Sequence, residues 1–89
     1  MAMVSVHIKV KDFGEWRKSF DKDKAARDKV GIIREIIFQN ADNPNDVAVV
    51  AETNDPHKMI EALRTPEWKK KMQERGVEGD PLISILQSA

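Results

Sequence analysis

The sequence predicts an α+β fold in which one antiparallel sheet carries its helices on a single face. The first observation is the stretch "VSVHIKV". It sets Val4, Val6, Ile8 and Val10 at every second place with Ser5, His7 and Lys9 between them, the alternation of a strand with one face on a core. The second is the order of the later segments: a helical stripe, two β-branched segments joined by a short polar loop, then helix and strand signals again. Strand, helix, strand, strand, helix, strand is the plan of a split βαβ domain.

Each element has its own warrant. Asp12 with Glu15 three places on reads as an N-cap and capping box. Phe13, Trp16 and Phe20 then form an apolar stripe that Ala25 or Ala26 and Val30 extend, with lysine, arginine and aspartate on the remaining faces. Gly31 is a suitable stop because glycine reaches the left-handed conformation without steric cost, so one helix is predicted over 12–30. "IIREIIFQN" reads as a strand, "ADNPND" as a turn-rich loop and "VAVVAET" as the second arm of a hairpin. Asp55 before Pro56 and Thr65 before Pro66 are two caps with proline at the first helical position. The first of these helices presents Met59, Ile60 and Leu63, the second Trp68 and Met72, and Gly76 ends it. "VEGDP" reads as a loop and "LISILQ" as the last strand. The whole is a ferredoxin-like βαββαβ arrangement with a four-stranded antiparallel sheet, predicted as a single domain over 1–89.

Composition narrows the function classes. The chain has 89 residues, enough for one modest core. It has no cysteine, which excludes disulfides, thiolate metal sites and cysteine nucleophiles. Fifteen basic residues balance fifteen acidic ones, so no electrostatic footprint points to nucleic acid or an anionic membrane. No apolar run has the length of a signal peptide core or a membrane span, and a cytoplasmic protein is expected.

Helices cover one face of such a sheet, so the other should be polar in a free-standing monomer. Here it is not. In "IIREIIFQ" the even places hold Ile32, Arg34, Ile36 and Phe38, and the odd ones Ile33, Glu35, Ile37 and Gln39. "VAVVA" is apolar on both faces, and "LISIL" puts Leu82 and Leu86 on one face with Ile83 and Ile85 on the other. A second apolar layer is required, and a second copy of the chain, sheet against sheet about a two-fold axis, supplies it. A homodimer is therefore expected.

This order of elements, the doubly apolar sheet, the "TPEW" helix start and the closing "GDPLISIL" strand together resemble the dimeric α+β barrel superfamily over essentially the whole chain. Its members include cofactor-free antibiotic-biosynthesis monooxygenases, small polyketide cyclases and stress-responsive barrel proteins. The resemblance implies a dimeric α+β barrel with ligand pockets between each sheet and its helices or inside the barrel. Many of the monooxygenases carry a tryptophan just after the third strand and a histidine at the end of the next helix. This chain has Thr53 and Asn54 at the first place and Arg64 at the second.

Few side chains are candidates for chemistry. His7, central on the less apolar face of the first strand, could serve as a general base because its ordinary pKa lies near neutrality; a polar interface residue is the simpler reading. Arg34 and Glu35 interrupt an apolar strand on opposite faces, as an oxyanion holder and a proton acceptor would, or as cross-strand ion partners do. Glu52 ends the neighbouring strand. Trp68 can wall an apolar ligand site or pack over the sheet, whereas Trp16 belongs to the core stripe. The catalytic candidates are thus His7, Arg34 and Glu35, and the ligand-binding candidates Trp68 and His7. His57 reads as a solvated first-turn residue. With two histidines on no common face, neither a metal nor a cofactor is expected.

The function expected is that of a small homodimeric barrel protein binding a small apolar molecule. The alternative is a cofactor-independent enzyme of the monooxygenase or cyclase kind acting on an aromatic or polyketide-like substrate. Cavity volume separates a ligand site from a filled interior, with a pocket of about 300 Å³ or more marking the former.

Overall fold

The computed structural model describes residues 2–88. Along the chain run β1 (Ala2–Val10), α1 (Phe13–Lys22), α2 (Lys24–Lys29), β2 (Ile32–Gln39), β3 (Asp46–Thr53), α3 (Pro56–Leu63), α4 (Pro66–Glu74) and β4 (Val77–Leu86). The strands form one four-stranded sheet in the order β2-β3-β1-β4, every neighbouring pair antiparallel. This is the expected ferredoxin-like α+β fold.

The alternation of β1 places Val4, Val6, Ile8 and Val10 in the core, at most 7% exposed, beside Val47, Val49 and Ala51 of β3. The helices lie over this face and add Trp16, Phe20, Met59 and Leu63. The caps form where the sequence puts them. The Asp12, Asp55 and Thr65 side chains accept hydrogen bonds from the backbone N–H groups of Glu15, Lys58 and Trp68. Gly31 takes φ +85° directly after α2.

Three details differ from the sequence reading. The predicted helix over 12–30 is two helices, broken at Asp23, whose φ of −101° and ψ of 21° leave the helical range. The Asp23 carboxylate pairs with Arg75 at the end of α4, a tertiary contact that local periodicity does not report. The predicted "VEGDP" loop is strand: Val77 and Glu78 already pair with Val10 and Lys9, and an irregularity opposite Ile8 absorbs the residues before Leu82. Gly79 at φ +70° lies within that irregularity, and Pro81 is tolerated because β4 is an edge strand.

The third correction is the register of β2. A bulge between Ile32 and Arg34 breaks the even-and-odd division. Ile32 pairs with Thr53 and Ile37 with Val49, so Ile32, Glu35 and Ile37 share the helix-covered face; Arg34, Ile36 and Phe38 share the open one. The same logic puts Ile83 and Ile85, opposite Val6 and Val4, on the helix-covered face, and Leu82 and Leu86 on the open one.

Candidate functional site

The sheet divides the candidate residues between two places. Beneath it, a cavity of about 70 Å³ lies between the strands and the helices. Its floor is Val6, Ile8, Val49 and Ala51, and its roof is Trp16 and Phe20 of α1, Met59 and Leu63 of α3, and Trp68 and Met72 of α4. These residues converge because each is the inward member of an amphipathic stripe or an alternating strand. The volume lies between the two cases that the sequence left open. It is well short of the about 300 Å³ of a fully formed small-molecule pocket, yet larger than the void of a close-packed core.

The polar part of the cavity wall is built from Arg27, Glu35 and Arg75. Arg27, 6% exposed, stacks over the Phe20 ring with its guanidinium carbon 3.6 Å from the ring centroid. It donates from Nη1 to the Phe20 carbonyl and from Nε to Glu35 Oε1, the latter at 2.8 Å. Glu35 Oε2 is shielded from solvent and accepts no hydrogen bond among the described residues. Arg75 pairs with Asp23, and burial lowers its guanidinium pKa from the ordinary value. Both arginines lining the cavity therefore have carboxylate partners.

The open face holds the other candidates. His7 is half exposed there, its Nε2 against Asp46 Oδ1, with Leu82 and Ala48 as its cross-strand neighbours. Arg34 lies opposite Glu52 and contacts its Oε2 through Nε at 2.5 Å. Around these two side-chain pairs stand Ile36, Phe38, Leu82 and Leu86, between 41% and 69% exposed. Of the sequence candidates, then, Glu35 and Trp68 meet at the cavity, while His7 and Arg34 lie on the opposite side of the sheet. His57 is exposed in the first turn of α3. Among the described residues no three His, Asp or Glu side chains gather as a metal site.

Arg27 and Arg75 escaped the sequence reading. Arg27 carried a signal: it stands seven places after Phe20, on the Phe13–Trp16–Phe20 stripe, where an arginine implies a buried partner. Arg75, one residue before Gly76 in a basic run, carried none.

No family model matches the sequence, and no curated protein matches it. Solved structures do match across nearly the full length of both chains. An antibiotic biosynthesis monooxygenase superposes with a TM-score of 0.72 at 11% identity, covering 100% of this chain and 99% of its own. SnoaB, a cofactor-independent oxygenase from Streptomyces nogalater, gives 0.72 at 14% identity, covering 99% and 92%. A conserved protein from Methanosarcina mazei Go1 gives 0.60 at 15% identity, covering 99% and 92%. At these identities the likeness is one of fold: the chain shares its ferredoxin-like βαββαβ architecture with these proteins over nearly its whole length.

Proposed function

We propose that the protein is a homodimer in which each subunit binds a small, mostly apolar molecule in the cavity between its sheet and helices. The observation that carries this reading is the cavity itself, walled by aliphatic and aromatic side chains, with a partly buried carboxylate–guanidinium pair among them. An apolar wall with a few convergent polar groups is the usual make-up of a small-molecule site. Met59 and Met72 are the deformable part of the roof, since an unbranched thioether side chain changes rotamer at little cost. Their movement lets a ring-sized molecule enter a space of about 70 Å³. The dimer accounts for four large apolar side chains of the open face standing in water in the lone chain.

Titrating the protein with toluene while following the fluorescence of Trp16 and Trp68 tests the reading. A saturable change is expected, and it should disappear in Ala51→Leu, which fills the cavity floor with a larger apolar side chain. A response linear in toluene, or one unaffected by that substitution, rejects the site.

A second reading is favoured by the likeness to SnoaB, a cofactor-independent oxygenase. In it the cavity receives an aromatic or polyketide-like substrate, Trp68 forms part of the apolar wall, and Glu35 is the polar group at hand; His7 and Arg34, across the sheet, take no part at this site. Oxygen uptake on adding a polycyclic phenol, with no cofactor present, supports it; binding without oxygen uptake supports the binder.

A further inference from the structure

Glu35 is held by one oxygen only. Arg27 Nε occupies Oε1 at 2.8 Å, whereas Oε2, withdrawn from solvent, meets no donor among the described residues. A buried carboxylate oxygen without a donor has given up its hydration for nothing in return, so such atoms in native proteins call for a reason. Asp23 Oδ2 also lacks a hydrogen bond, but it sits against Arg75 in an ion pair. Among the described residues, Glu35 Oε2 is thus the one unsatisfied acceptor of this kind on a residue lining the cavity.

We propose that Glu35 is the specificity-determining residue of the cavity, and that its free Oε2 selects an uncharged, mostly apolar ligand carrying a hydrogen-bond donor, a hydroxyl or an N–H. Arg27 is the positioning residue: its guanidinium is pinned by the Phe20 carbonyl and stacked on the Phe20 ring, so it fixes which carboxylate oxygen stays available. The ligand is uncharged because both cavity arginines are already matched, Arg27 by Glu35 and Arg75 by Asp23. An anion would find no spare positive charge there, and a cation would compete with Arg27 for the carboxylate. This inference rests on the cavity being a ligand site.

Phenol, toluene and anisole separate the possibilities. Phenol and toluene are nearly the same size and demand the same opening of the roof, but only phenol donates a hydrogen bond; anisole can only accept. In a purely apolar cavity toluene would win, because a buried hydroxyl without a partner is penalised. With Glu35 present, phenol should bind at least about tenfold more tightly than toluene or anisole, as expected for a hydrogen bond to a charged acceptor. Glu35→Gln reverses the demand. Arg27 needs an acceptor and so draws the amide oxygen, leaving the amide N–H₂ where Oε2 was. That variant should lose the preference for phenol over anisole while toluene affinity stays within about threefold. Wild-type protein that binds toluene or anisole as tightly as phenol overturns the role of Glu35 and leaves the cavity site standing. So does a Glu35→Gln protein that keeps the phenol preference. Saturable binding of none of the three overturns both.

Discussion

Removing the Glu35 carboxylate while keeping Arg27 leaves a guanidinium that is 6% exposed without its ionic partner. Glu35→Ala should therefore cost about 3 kcal/mol or more, as breaking one side of a buried pair does. Replacing both partners, Arg27→Met with Glu35→Met, should cost about 1 kcal/mol or less because no charge is stranded. Urea denaturation of the two proteins checks the difference. His7 behaves otherwise. Its own side chain is half exposed and Asp46 is partly so, so His7→Ala should change stability by less than about 1 kcal/mol and leave toluene binding as it was. At this scale the sequence was half legible. Glu35 stood out as a charge inside an apolar strand, but its partner Arg27 lies eight residues upstream on a helix otherwise read as solvated beyond its stripe. No local pattern announces a pairing made by a helix folding back over a sheet.

The elements themselves were legible where their ends carry their own chemistry. Thr65 caps α4, the helix that brings Trp68, Met72 and Arg75 to the cavity. Thr65→Ala should cost about 1 kcal/mol in thermal or chemical unfolding and weaken toluene binding as the first turn frays. Gly31 ends α2 at φ +85°, and a Cβ built there would stand 2.8 Å from Asn54 Oδ1. Gly31→Ala should accordingly destabilise by about 1–2 kcal/mol, the cost of the left-handed conformation for a residue with a Cβ, with the contact adding to it. What the sequence withheld at this scale was set across space. The break at Asp23 goes with a contact to Arg75, and the bulge between Ile32 and Arg34 is defined only against β3. Because side chains alternate with period two, that one irregularity decides which of the β2 isoleucines face the helices.

For the whole molecule, the sheet separates two jobs. Its covered face holds the core and the cavity, and its open face presents Ile36, Phe38, Leu82 and Leu86. A single charge at Leu82, 69% exposed, should oppose association without touching the core. Leu82→Asp is expected to run as a folded monomer by light scattering at micromolar concentration, where the parent is expected to run as a dimer. Ile37→Asp, on the covered face opposite Val49, should instead unfold. A parent protein that is monomeric under those conditions refutes the dimer. That the sheet was apolar on both faces could be read from the strands alone, since alternation reports each face separately. The cavity could not: it is the volume left when helices and sheet fail to close completely, and no residue pattern encodes a gap of about 70 Å³.

Binding within that gap is the central claim, and three methionines report on it directly. Met59 and Met72 line the cavity, whereas Met3, paired with Glu52 and Leu86, faces the open side of the sheet. In methyl-labelled protein titrated with phenol, the Met59 and Met72 resonances should shift together and saturate while Met3 stays in place. Shifts at Met3 with Met59 and Met72 unmoved would contradict the account, placing the ligand on the open face and leaving the cavity a packing defect.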